Sequence, residues 1–113
     1  EPINGHDMSG YFLDDFDLAV SIVEAVGAPN VRLQFDAYHA ARMGLDVMAV
    51  WDRVKAHVAH VQVGGVPDRH EPSTGTFNYP TFFKQLETDG YSGWVSGEYR
   101  PANRTEDDLS WIT

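Results

Sequence analysis

Four oxygen-bearing side chains fall at intervals that a metal site could use. Asp36 closes the run Val31-Arg32-Leu33-Gln34-Phe35-Asp36, Gln62 stands in His60-Val61-Gln62-Val63-Gly64-Gly65, Glu98 ends Trp94-Val95-Ser96-Gly97-Glu98, and Glu1 opens the sequence. The successive gaps of 35, 26 and 36 residues are each what one strand and one helix consume in a parallel α/β fold. Residues repeating at that interval recur at equivalent positions around one sheet. The carboxyl ends of parallel strands are where such folds build their active sites, so the spacing predicts an oxygen-lined cation site at one mouth.

Periodicity defines the elements that must carry these residues. Apolar positions Phe16, Leu18, Ala19, Ile22, Val23 and Val26 form the stripe of an amphipathic helix over 14–26. Asp14 or Asp15 can cap it, and Gly27 can end it in the left-handed conformation. A strand over 31–36 follows, then a loop or short helix over 37–44. A helix over 45–57 is expected to bury Val47, Met48, Val50, Trp51 and Val54. After a strand over 59–63, residues 64–75 form the longest unpatterned stretch, of a length usually functional or mobile. Pro80 marks the start of a helix over 80–88, stopped by Asp89-Gly90. A strand over 94–98 and the start of a helix at 105–109 complete the pattern.

Alternate residues of a strand face opposite ways. Val31, Leu33 and Phe35 therefore share one face and Arg32, Gln34 and Asp36 the other; Val61 and Val63 oppose His60 and Gln62; Val95 opposes Trp94, Ser96 and Glu98. The apolar faces suit packing against helices, which leaves Asp36, Gln62 and Glu98 together on the polar interior. Trp51, Trp94 and the Phe82-Phe83 pair are assigned to packing.

Composition narrows the function classes. At 113 residues the chain is one α/β domain, and a complete eight-unit barrel needs about 250 residues, so half of one fits. With no cysteine there is neither a disulfide framework nor a thiolate zinc site, which agrees with a reducing cytoplasm. Any bound metal must use oxygen or imidazole. Seventeen acidic against eight basic residues give a formal charge of −9, which repels nucleic acid. No apolar run approaches the roughly 20 residues of a membrane helix. The absence of a phosphate-cradling glycine loop argues against a nucleotide cofactor.

Five segments in order, Glu1-Pro2-Ile3-Asn4, Leu33 to His39, His60 to Pro72, Asn78-Tyr79-Pro80 and Gly97-Glu98-Tyr99-Arg100-Pro101, resemble the hydroxypyruvate isomerase family. That family belongs to the xylose-isomerase-like (β/α)8 barrels, alongside ketose 3-epimerases and 2-oxotetronate isomerases. The resemblance covers nearly all of residues 1–113 and corresponds to the C-terminal half of the family's barrel. It implies that Glu1, Asp36, Gln62 and Glu98 bind one divalent metal, Mg²⁺ or Mn²⁺, and that Glu1 and Glu98 are the catalytic pair exchanging a substrate proton through an enediolate. His39 matches a substrate-binding histidine, with Asp7 and Arg69 gripping substrate hydroxyl or carboxylate groups. The implied reaction turns hydroxypyruvate into 2-hydroxy-3-oxopropanoate. Asn103-Arg104 stands where relatives tend to have a glycine-rich turn.

Each assignment has a plainer rival. Asp36 is a ready helix cap, Glu98 can pair with Arg100 at the surface, Gln62 can bond to solvent, and Glu1 is a terminal residue prone to disorder. His39 and His60, taken singly, are better explained as structural histidines than as ligands, and Arg69-His70-Glu71 as a solvated charge run. A half-barrel also leaves two open sheet edges. Such a chain, which reads as cut at both ends, is expected to associate with a missing N-terminal half or with itself as a homo-oligomer. A non-catalytic, self-associating half-barrel and a ketose 3-epimerase or 2-oxotetronate isomerase are the alternative functions; a zinc-dependent endonuclease is disfavoured by the charge and by the shortage of imidazole.

Overall fold

The computed structural model of the protein describes residues 1–112. Three parallel strands, β1 (Leu33–Asp36), β2 (Val58–Val63) and β3 (Val95–Gly97), pair in the order β1-β2-β3. Helices α1 (Phe16–Val26), α2 (Ala37–Arg42), α3 (Val47–Val54) and α4 (Tyr79–Thr88) connect and cover them. The expected partial barrel is thus present, with its strands parallel.

Local chemistry explains the helix limits. The Asp15 carboxylate accepts from the Leu18 N–H at 2.8 Å to start α1, and Gly27, at φ 65°, stops it by donating to the Val23 carbonyl. Asp46 caps α3 in the same way, and its last turn tightens into a 3₁₀ turn at Lys55–His57, so the single helix expected over 45–57 is shorter and in two pieces. Asn78 caps α4, placing Pro80 in its first turn, where a missing N–H costs nothing. The helix expected at 105–109 is one 3₁₀ turn, Thr105–Asp107, capped at its start by the Asp107 carboxylate on the Arg104 N–H and ended at Asp108, whose backbone is extended.

The covered face of the sheet follows the predicted parity. Phe35 is fully buried between Phe16, Trp51 and Phe82, with ring centroids 5.4, 5.5 and 6.0 Å away. Leu33, Val61 and Val63 extend the same layer. Trp94 departs from its packing assignment: it is 83 % exposed, because it lies just before β3 on the face that no helix covers. Residues 64–75, expected to be functional or mobile, form a hydrogen-bonded turn. Gly65 N–H donates to the His70 carbonyl at 2.8 Å, Arg69 N–H to the Gly65 carbonyl at 2.7 Å, and Arg100 N–H to the Arg69 carbonyl at 2.8 Å. Gly75, at φ 88°, bridges to Val66 so closely that any side chain there would collide with the Val66 backbone.

Candidate metal and substrate site

Strand register gathers the predicted residues. Asp36 ends β1 opposite Gln62 of β2, Gln62 stands opposite Ser96 of β3, and the Glu98 N–H just beyond β3 donates to the Val63 carbonyl at 2.9 Å. All three are brought to the carboxyl end of the sheet. Glu1 joins them from outside it, half-buried and ordered, contrary to the reading of a disordered terminus.

Two nitrogens link the four oxygens pairwise. Arg69 Nη2 donates to Asp36 Oδ2 at 2.9 Å and to Glu98 Oε2 at 2.8 Å. Gln34 Nε2 donates to Glu1 Oε2 at 2.7 Å and to Gln62 Oε1 at 2.6 Å. His39 closes the ring, its Nε2 lying 3.7 Å from Glu1 Oε1 and 3.8 Å from Asp36 Oδ2. Glu98 is therefore paired with Arg69, not with Arg100. Asp36 does act as a helix cap, since its Oδ1 accepts from the Tyr38 N–H at 2.9 Å, but its Oδ2 remains directed at the site. The cap and the site use different oxygens of one carboxylate.

Electrostatics at this end favour a cation. Asp36 is fully buried, and burial pushes its carboxyl up to about 7, with Glu1 and Glu98 adding to the rise against the opposing pull of Arg69. Glu1 is raised as well, first by burial and then by the charge of Glu98. Three carboxylates and an amide oxygen are a hard donor set, which fits Mg²⁺ or Mn²⁺. Glu1, Asp36 and His39 each offer an atom within 4.8 Å of the others.

His39 is oriented by the first segment of the chain. Its Nδ1 accepts from Asn4 Nδ2 at 2.8 Å and from the Asn4 N–H at 3.3 Å. The Asn4 amide is oriented in turn by the Asp7 N–H, which donates to Oδ1 at 2.9 Å. With Nδ1 accepting, the proton of the neutral ring sits on Nε2 and points into the site. Burial, then the Arg69 charge, lowers the His39 pKa to about 4, so the ring is neutral near pH 7. Its Nε2 faces the site, 3.4 Å from Arg69 Nη2.

The site opens into a cleft of about 510 Å³ that Glu1, Asp7, His39, Arg69, Glu98 and Arg100 help to line. Asp7 accepts from the Tyr38 hydroxyl at 2.5 Å and from Asn4 Nδ2 at 3.2 Å. Arg69 is held in place by its left-handed backbone, φ 57°, and by stacking 4.6 Å over the Tyr38 ring. Sequence reasoning passed over Gln34, Asn4 and Tyr38. Parity had already placed Gln34 beside Asp36, and Asn4 lies in the first quoted motif; only their cross-strand partners were out of sight.

A parallel β/α sheet with a cluster of acidic side chains and a cleft at its strand carboxyl ends defines a segment of a (β/α) barrel. The chain belongs to the xylose isomerase-like TIM barrel family, whose model matches residues 1–113. It is 46 % identical to a 2-oxo-tetronate isomerase of Cupriavidus necator and 37 % identical to the hydroxypyruvate isomerase of Escherichia coli, over 99 % of this chain and 43 % of each relative. A solved structure titled AP endonuclease, family 2, from Brucella melitensis superposes with a TM-score of 0.92 at 44 % identity, over 97 % of this chain and 43 % of that one. The chain thus spans less than half the length of the proteins it matches. Among the described residues, no helix is long and apolar enough to cross a membrane.

Proposed function

We propose that this chain is a site-bearing segment of a metal-assisted sugar-acid isomerase acting on hydroxypyruvate or a related 2-oxo acid. The observation that carries the reading is the convergence of Glu1, Asp36, Gln62 and Glu98, tied in pairs by Arg69 and Gln34. These four would hold Mg²⁺ or Mn²⁺, which supplies electrophilic stabilisation of the oxyanion that develops on the substrate.

The chain's own groups account for the rest of the chemistry. One of Glu1 and Glu98 takes the proton from C3 of hydroxypyruvate, leaving an enediolate, and the other returns a proton to C2; with the hydroxyl proton passing from O3 to O2 the product is 2-hydroxy-3-oxopropanoate. A raised Glu1 pKa suits proton exchange near neutral pH, since a base works best with its pKa close to the working pH. His39 Nε2–H donates to a substrate oxygen, and Arg69 turns from Asp36 and Glu98 to the substrate carboxylate.

Titrating Mn²⁺ calorimetrically into the wild type and Glu98→Gln tests the ligand set, with weaker binding expected for the variant. Equal binding would remove Glu98 from it. Solvent deuterium entering C3 of hydroxypyruvate, followed by proton NMR, tests the proton transfer.

A ketose 3-epimerase or 2-oxotetronate isomerase uses the same scaffold, and comparative assay of those substrates separates them; the Cupriavidus necator relative makes the second the nearer rival. The open sheet and the exposed Trp94 favour a second reading, a non-catalytic half-barrel that associates with itself. Nuclease chemistry, suggested by the name of the Brucella melitensis structure, is not adopted: the chain carries −9, and among the described residues His39 is the imidazole grouped with Glu1 and Asp36.

A further inference from the structure

We infer that Gln34 is a positioning residue that decides which atom of Gln62 faces the cation site and holds Glu1 beside it. The inference rests on the ligand set proposed above. Gln62 is the weakest member of that set: its amide carries a donor at one tip and an acceptor at the other, and a half-turn about its last bond would present NH₂ to a cation instead of oxygen.

The network removes that ambiguity step by step. Gln34 Nε2 donates to Glu1 Oε2 at 2.7 Å, which fixes the nitrogen end of the Gln34 amide toward Glu1. That nitrogen has two hydrogens. One goes to Glu1, and the other is directed at the Gln62 atom 2.6 Å away, which must therefore be oxygen. Orientation passes from carboxylate to amide to amide, and Gln62 Oε1 keeps its second lone pair for a cation. Strand geometry makes the relay possible: Gln34 lies two residues before Asp36 on the same face, and Gln62 is the β2 partner of Asp36, so the Gln34 amide reaches diagonally across the ladder. Mutating partners that orient metal ligands in this way typically costs about 10- to 100-fold in metal affinity.

Gln34→Met keeps the length of the side chain and removes both donors. In calorimetric titrations with MnCl₂ it should bind about 10- to 100-fold more weakly than the wild type, with an unchanged far-ultraviolet circular dichroism spectrum. Placed in a Gln62→Glu background, the same substitution should cost less than about 5-fold, since a carboxylate presents oxygen whichever way it turns, and the difference is the coupling. A purely space-filling Gln34 would give equal losses in the two backgrounds or none, and that result overturns the inference while leaving the ligand set standing. No Mn²⁺ binding by the wild type overturns both. A measurement without substitution guards against misfolding of the variant: in the metal-free wild type, the two Gln34 side-chain amide protons should give separate ¹⁵N-correlated signals that exchange slowly with water. Rapidly exchanging signals with the shifts of a free amide count against the fork.

Discussion

The two faces of the sheet are made from the same short strands, yet they are finished differently. On the helical side Phe35, Val61 and Val63 have no exposed surface, and the aromatic cluster around Phe35 is closed within the chain. The opposite side carries Gln34, His60, Gln62 and Ser96, linked by side-chain hydrogen bonds and left partly open, with Trp94 standing out beside them. One face holds the fold together by excluding water. Its neighbour, one residue out of phase, gathers charge and polar atoms that would be costly to bury without partners. Chemistry and stability are thus separable along a single strand, which makes the contrast open to experiment.

The largest effect should come from the closed face. Phe35→Ala removes the ring at the centre of the cluster and should cost about 3–5 kcal/mol in urea unfolding, whereas Ser96→Ala, which loses one hydrogen bond to His60 on the other face, should cost about 1 kcal/mol. Similar values for the two would erase the distinction.

Asp36→Asn should weaken Mn²⁺ binding by more than about 100-fold, beyond the range of an outer partner, yet raise the stability of the metal-free chain at pH 8. The sign follows from linkage. Folding raises the Asp36 pKa, so the folded state keeps a proton that the unfolded state has lost, and stability falls as pH rises from 3.8 through about 7. His39 acts the other way: its lowered pKa means that stability is lost as pH falls from 6.5 toward about 4. The two slopes offset each other between pH 4 and 6.5 in the wild type. Asp36→Asn removes the first, so melting temperature should climb with pH across that window more steeply than in the wild type. A variant less stable than wild type at pH 8 would contradict the account of Asp36 as a carboxylate held at a cost.

Arg69→Met frees Asp36 Oδ2 and Glu98 Oε2 from the guanidinium that bridges them. Mn²⁺ should bind about 10-fold more tightly, equivalent to about 1.4 kcal/mol, while the affinity for hydroxypyruvate falls. Weaker Mn²⁺ binding would show that Arg69 supports the ligands more than it competes for them.

The smallest change in stability should come from Trp94→Gln, within about 0.5 kcal/mol for so exposed a residue. Its consequence should appear in sizing chromatography instead. The wild-type chain should elute above 12.6 kDa at micromolar concentration because its polar face and sheet edges are uncovered, and the variant should shift toward the monomer. A wild type that elutes as a clean monomer removes the argument for self-association.

Much of this was legible in the residues. Strand parity assigned Phe35 and Asp36 to opposite faces, cap chemistry located the start of α1 and the end of α4, and the spacing of Asp36, Gln62 and Glu98 placed three side chains at one end of a sheet. Trp94 was misassigned because its size suggested packing, while its exposure depends on whether a helix happens to lie over that face. The 64–75 segment lacked pattern because its order comes from backbone hydrogen bonds within the turn and to Arg100, which periodicity does not report.

The sequence alone determined the alternation of strands and helices, the acidic balance and the interval at which Asp36, Gln62 and Glu98 recur, since each depends on local side-chain type and spacing. Tertiary structure decided that Arg69 joins Asp36 to Glu98, that Gln34 joins Glu1 to Gln62, and that Asn4 sets the His39 tautomer. Those are contacts between residues about thirty positions apart. Hydrogen bonds act over about 3 Å, so only the folded arrangement of the strands can select them.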